Sequence, residues 1–340
     1  MYESYYGFTG KPFQLNPDPA FFFGSRGHKR AFAYLQYGLY QSEGFIVITG
    51  DIGAGKTTLV RSLLEQLDTG KVVAAQLVST QLDADDMLRA VAAAFGVPIK
   101  SVDKAQLLAT LEAFLCSLVT QNKRALLVVD EAQNLSQRAV EELRMLSNFQ
   151  LGDQALLQSF LIGQPELRQL MQSPQMQQLR QRVIASYHLG PMDRQETQAY
   201  VEHRLRHVGW QGNPGFAPAA FDAIYRFSTG IPRRINTLCN RLLLATYLAE
   251  KTAIDAAQVD AIATEIKQEL GPSAVGSVPQ GTVGDGARLT ASANASAFER
   301  MSDFEDRLGR LERTTTTIVD LLHQVLHRKG DQKQGSKATG

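Results

Sequence analysis

The chain has 340 residues, 44% of them hydrophobic, and a formal net charge of +1. That length accommodates two compact domains with accessory segments, and the near-neutral balance supplies no molecule-wide electrostatic footprint for nucleic acid, which leaves room only for a local patch. The two cysteines, Cys116 and Cys239, lie far apart in apolar, helix-patterned surroundings with no metal-ligand spacing around either, so both read as reduced core thiols.

Residues 1–44 read as an aromatic, proline-punctuated arm followed by a helix. In Gly10-Lys11-Pro12-Phe13 and Asn16-Pro17-Asp18-Pro19 the prolines hold the backbone extended or turning, which predicts an ordered arm packed on the core. The helix is expected from His28 to Tyr40, with Ala31, Leu35 and Leu39 near one face. The chain opens with aromatics and a glutamate instead of a basic, apolar leader, and it has no run of roughly eighteen apolar residues. The expected compartment is therefore the cytoplasm, without a membrane span.

The apolar run Phe45-Ile46-Val47-Ile48-Thr49 leads into Gly50-Asp51-Ile52-Gly53-Ala54-Gly55-Lys56-Thr57-Thr58, and an amphipathic helical segment follows. A glycine, four residues, then Gly-Lys-Thr between a strand and a helix is the phosphate-loop pattern. Glycines at 50, 53 and 55 allow the backbone N–H groups to turn inward around phosphates, and the helix N-terminus adds its positive end. Lys56 is expected on the β/γ oxygens of ATP, and the Thr57 hydroxyl on Mg²⁺. Beside such a site, Phe21, Phe22 and Phe23 read first as residues that bury apolar area and second as walls of an adenine pocket.

Further strands are expected at 72–78, at 125–131, at 159–165 and, more weakly, at 183–189, alternating with helices that include 84–95 and 103–120. The fold class is therefore α/β, a P-loop NTPase with a five-stranded, mostly parallel sheet over residues 45–191. The strand Ala125-Leu126-Leu127-Val128-Val129 delivers Asp130 and Glu131 at its C-terminal edge. Asp130 would hold the Mg²⁺ shell and Glu131 would orient the attacking water. Gln164 falls where a side chain could reach between the γ-phosphate and that water. Arg180 and Arg182 flank the approach to the fifth strand, from which either could enter a neighbouring subunit's site, and Arg233 opens a helix from which it could swing back to the phosphates.

Residues 192–270 carry helical patterns alone and read as a lid domain. Its helices are expected at about 193–207, 218–227, 232–250 and 255–269, two of them opening on capping-box phrases at Asp193 and Asp255. Residues 271–297 read as a flexible linker. Over residues 298–327, Met301, Phe304, Leu308, Leu311, Ile318, Leu322 and Val325 form a heptad seam interrupted by Thr315, which predicts a coiled coil or docking helix; 328–340 read as a disordered tail.

The phosphate loop, Val128-Val129-Asp130-Glu131-Ala132-Gln133, Ile162-Gly163-Gln164-Pro165-Glu166-Leu167, Gly230-Ile231-Pro232-Arg233-Arg234-Ile235-Asn236 and the opening Tyr6-Gly7-Phe8, Pro12-Phe13 and Pro17-Asp18-Pro19 phrases together resemble the AAA+ ATPases of the ExeA-like, general-secretion-pathway A type. The resemblance covers about Met1 to Leu270 and is nearest to the secretion ATPases found with exosortase and exopolysaccharide loci. It implies the Walker roles for Lys56, Thr57, Asp130 and Glu131, a sensor near Gln164, an arginine finger at Arg182 or Arg180, and a second sensor at Arg233. It also implies a homo-oligomer, ring or filament, driven by ATP.

The better-known secretion members carry a membrane helix and a periplasmic wall-binding domain, where this sequence has only a linker and a heptad helix. The expectation is an assembly motor or switch for an envelope export system, cytoplasmic or peripheral to the inner membrane through a protein partner held by the C-terminal helix. The alternative is a DNA-associated AAA+ regulator resembling transposition target-selection ATPases. Nucleic acid is the less favoured partner because the net charge is close to zero. Asp130-Glu131-Ala132-Gln133 also looks like a helicase box, but no second motor domain follows it.

Overall fold

The computed structural model describes residues 2–78, 82–99 and 103–270. The expected linker, heptad helix and tail lie outside the described residues.

Five apolar runs form the sheet: β1 (Phe45–Gly50), β2 (Val72–Val78), β3 (Arg124–Asp130), β4 (Leu157–Gly163) and β5 (Val183–Leu189). The spatial order is β2-β3-β4-β1-β5, and every pairing is parallel. Strands buried on both faces must be apolar throughout, and β1 and β4 are buried at every position. β5, on the edge, alternates toward exposure at Ser186 and His188.

Helices cover both faces. Here α1 is Tyr2–Tyr6, α2 Arg26–Gln41, α3 Lys56–Glu65, α4 Ala84–Ala94, α5 Lys104–Thr120, α6 Gln137–Leu146 and α7 Pro165–Gln172. On one face Ile46, Ile48, Val128 and Phe160 meet Ala31 and Leu35 of α2 and Leu59 of α3. On the other, Val47, Leu127 and Leu161 meet α4 to α7 through Leu88, Leu111, Leu143 and Leu167.

The next helices, α8 (Gln177–Arg180), α9 (Arg194–His207), α10 (Pro218–Ser228), α11 (Pro232–Leu248) and α12 (Ala256–Leu270), include the four of the expected lid. Val201, Leu205, Ile224, Leu238, Leu242 and Val259 make their core, and Tyr2, Tyr6, Phe8 and Phe13 belong to the same cluster. The arm is thus ordered, and its anchoring aromatics sit on α9 to α12 rather than on the sheet. Asp193 opens α9 with a full capping box to Glu196. Asp255 accepts the Gln258 N–H at 2.8 Å, but the Gln258 amide turns away to Thr246 Oγ1, so the second box is half formed.

Two departures come from local chemistry. β4 starts and stops two residues earlier than expected, because Pro165 has no N–H for a ladder and instead opens α7 behind Gln164. Helix α6 and a short hairpin, Gln150–Leu151 with Gln154–Ala155, are not among the expected elements, although α6 buries Ala139, Val140, Leu143 and Leu146, a face with helical spacing.

Candidate nucleotide site

The C-terminal ends of β3, β4 and β1 lie side by side, and each hands over one part of the site. From β1, residues 51–55 turn into α3, which begins at Lys56. Gly53 (φ +80°) and Gly55 (φ +95°) take left-handed backbone that side chains disfavour. Gly50 does not: it is ordinary strand, and its need for glycine is close approach, since a Cβ there would lie 2.6 Å from the Leu189 carbonyl oxygen. That corrects the expectation that all three glycines serve the turn.

Lys56 is buried and its Nζ donates to the carbonyl oxygens of Gly50 (2.7 Å) and Asp51 (3.0 Å). Burial pulls its proton affinity below the usual lysine range, opposed by Glu131 and Asp130. Thr57 Oγ1 donates to Asp130 Oδ2 at 2.9 Å, and Asp130 Oδ1 accepts the Glu131 N–H at 3.0 Å. A hydroxyl and a carboxylate oxygen in contact are the hard donors Mg²⁺ takes while keeping waters and phosphate oxygens for its other positions. Thr57 and Asp130 therefore fit that ion. Among the described residues no cluster of three or more His, Cys, Asp or Glu offers a metal cage.

Glu131 stands in the left-handed region (φ +52°) where β3 breaks into the turn at Ala132–Asn134. Its Oε2 accepts from Gln164 Nε2 at 2.9 Å and from Gln133 Nε2 at 2.5 Å. Gln164 is thus brought to Glu131, as its position after β4 requires. Gln133 belongs to the same set, and reasoning from the sequence missed it.

Arg233, the second residue of α11, donates its N–H to the Gly53 carbonyl at 3.1 Å, and a Cβ on Gly53 would sit 2.4 Å from Arg233 Cβ. The first turn of α11 therefore lies directly on the phosphate loop. Arg180 and Arg182 are elsewhere. Arg180 Nη1 donates to the Met171 and Ser173 carbonyls at 2.8 and 3.2 Å, and Arg182 Nη1 to the Ser147 carbonyl and hydroxyl at 3.0 and 3.1 Å. Neither lines the cavity beside the loop.

That cavity, about 370 Å³, is bounded by the loop, Glu131, Arg233, Tyr200 and Arg204 of α9, and the arm residues Leu15 to Asp18 and Phe21 to Phe23. All three phenylalanines line this cavity, and they also bury apolar area as expected, Phe21 and Phe23 against the core of α9 to α12 and Phe22 against that of α2 and α3. His28 is a further unforeseen member: its Nε2 lies 3.0 Å from the Ala54 carbonyl and its Nδ1 2.7 Å from Ser25 Oγ. A carbonyl can only accept, which puts the proton on Nε2 and makes the Ser25 hydroxyl the donor to Nδ1. Burial lowers the His28 pKa, consistent with this neutral form. Its only sequence signal was a histidine in the first turn of a helix, which by itself has no meaning for a ligand.

Residues 39–171 match the family model described as an AAA domain. Over 248 residues the chain is 39% identical to General secretion pathway protein A of Aeromonas hydrophila, a match that covers 73% of this chain and 45% of that protein. The chain carries an ExeA-like AAA+ core. This AAA+ chain spans less than half the length of the curated relative it matches. In fold the AAA+ core is similar to the Aeropyrum pernix ORC2 protein solved in ADPNP–ADP complexes (TM-score 0.59, 17% identity, 76% of this chain and 72% of that one). It is also similar to Cdc6p from Pyrobaculum aerophilum (TM-score 0.57, 15% identity, 78% and 71%). At such identities the likeness concerns the fold alone. Among the described residues no helix is long and apolar enough to cross a membrane.

Proposed function

We propose that the AAA+ core binds Mg-ATP in this cavity and hydrolyses it as the motor or switch of a cell-envelope secretion or exopolysaccharide system. The observation that carries the hydrolytic part is the contact between Thr57 and Asp130 beside a buried Lys56 and a cavity-lining Glu131. Thr57 and Asp130 would hold Mg²⁺, which supplies charge neutralisation between the β and γ phosphates. Lys56 would exchange its loop carbonyls for phosphate oxygens, and the free N–H groups at the start of α3 would add their positive end to the same anion. Glu131 orients the water, with Gln164 on the same carboxylate. Arg233 reads the nucleotide from the lid, and Arg182 or Arg180 completes a neighbouring subunit's site in a homo-oligomeric ring or filament. The envelope role rests on the resemblance to General secretion pathway protein A, with the C-terminal helix as the handle for a protein partner and the location cytoplasmic, peripheral to the inner membrane through that partner.

The test is ATP titration and turnover on the full chain. Lys56→Met is expected to weaken ATP affinity by roughly tenfold or more, about 1.4 kcal/mol. Glu131→Gln is expected to keep the affinity and lose turnover by roughly 10²- to 10⁴-fold. A Glu131→Gln chain that hydrolyses ATP at the parent rate removes the water-orienting role.

One feature favours the alternative of a DNA-associated regulator. Helix α2 has no acidic residue and exposes Lys29, Arg30, Tyr34 and Tyr37, a basic and aromatic surface of the sort that single strands stack on. A DNA mobility shift that collapses between low and moderate salt would support it, and binding that ignores salt would not.

A further inference from the structure

We propose that Gln133 is a positioning residue that sets the carboxylate of Glu131 and ties it to the end of β4, an inference that rests on the hydrolytic reading above. Gln133 bridges two partners whose roles cannot be exchanged. The Gln164 backbone N–H can only donate, and it donates to Gln133 Oε1 at 2.9 Å. The amide nitrogen must then face Glu131, whose ionised carboxylate can only accept, and Nε2 lies 2.5 Å from Oε2. Gln164 Nε2 donates to that same Oε2 at 2.9 Å, so one carboxylate oxygen is gripped by two amides and Oε1 stays outside this pair of bonds for the water.

The backbone is shaped to receive this side chain. A Cβ on Gly163, the last residue of β4, would lie 2.8 Å from Gln133 Oε1 and equally close to Leu167 Cδ2, so glycine there leaves room both for the amide and for the packing of α7. Glu131 itself sits in left-handed backbone, a conformation that costs free energy unless neighbours hold it. Glutamine is the neutral residue of this length that can both accept from Gln164 and donate to Glu131. A glutamate would face like charge, a lysine could not accept, and a methionine would do neither. Because the bridge spans β3 and β4, any shift of the β4 end is passed to the Glu131 carboxylate.

The experiment compares three variants of the full chain by ATP affinity, kcat and KM. Gln133→Met, near the parent in volume, is expected to keep ATP affinity within about threefold and KM little changed. Its kcat should fall roughly 10- to 100-fold, the worth of a hydrogen bond to a charged group. Gln133→Glu keeps the acceptor for the Gln164 N–H, and so the local fold, but puts two carboxylates in one site. Its kcat should fall at least as far as that of Gln133→Met, because like charge pushes away the Glu131 carboxylate that the amide holds. A merely structural role for Gln133 would lower ATP affinity and kcat together instead of kcat alone. Parent-like kcat in Gln133→Met, or a loss shared equally between ATP affinity and kcat, overturns the proposal. Glu131→Gln separates the two levels: if it too runs at the parent rate the hydrolytic reading falls, whereas if it stops turnover while both Gln133 variants run normally only the bridge is wrong.

Discussion

At the scale of single residues, the cavity is supported by side chains whose protonation is set by burial. His28 is buried between Ser25 and the Ala54 carbonyl, and its pKa lies below the ordinary value of 6.5. The unfolded chain takes up a proton on that ring near pH 6.5, and the folded chain only at lower pH. The folded state is therefore the proton-poor one in between. Its contribution to stability is full above about pH 6.5 and is lost as the pH falls toward the folded pKa. His203 is shifted the same way, first by burial and then by His207 and the neighbouring arginines. Urea midpoints measured from neutral to mildly acidic pH should fall on acidification, and His28→Gln should flatten part of that fall. An equally steep fall in the variant would assign the dependence to other groups.

At the scale of elements, the arm is held by both halves of the structure. Arg61 of α3 donates to the Pro17 carbonyl at 2.8 Å. Arg204 of α9 is buried, donates to the Pro12 carbonyl at 2.6 Å and to the Tyr200 hydroxyl at 2.8 Å, and lies 4.7 Å from the Phe21 ring. Tyr200 passes the network on to Asn236 of α11. The acceptors of Arg204 are thus neutral groups, and removing its side chain strands a buried carbonyl. Arg204→Ala is expected to cost about 2–5 kcal/mol, since each group left unsatisfied costs about 1–3 kcal/mol and the lost packing adds to it. The readout is the urea midpoint at unchanged slope, together with faster proteolysis within residues 10–20. A midpoint unchanged from the parent would show that the arm is held by its aromatics alone.

At the scale of the whole molecule, the loop, Asp130, Glu131, Gln164, Arg233 and the cavity-lining part of the arm all fall between residues 15 and 233. A chain ending at Leu270 should therefore bind ATP as the full chain does, while losing the proposed partner and any self-association that depends on the heptad segment. Co-purification and mass measurement of the two forms side by side check this. If partners and oligomeric state survive the truncation, the C-terminal helix is not the handle.

Whatever is written in contiguous residues is legible in the chain itself. The Gly-Lys-Thr loop after an apolar run, the paired acids at the end of another, the Asp193 cap and the lid helices depend on spacing within a few residues, and spacing is what a sequence displays. What joins residues far apart was decided by the tertiary structure. Sheet order sets β4 between β3 and β1, and only that order brings Gln164, 31 residues beyond Gln133, onto the same carboxylate. Packing folds the arm back so that Phe21 to Phe23 become cavity walls and puts His28, 26 residues earlier in the chain, against the loop at Ala54. Such contacts are single hydrogen bonds and shape matches made across the core, and they leave no periodic trace in the chain that makes them.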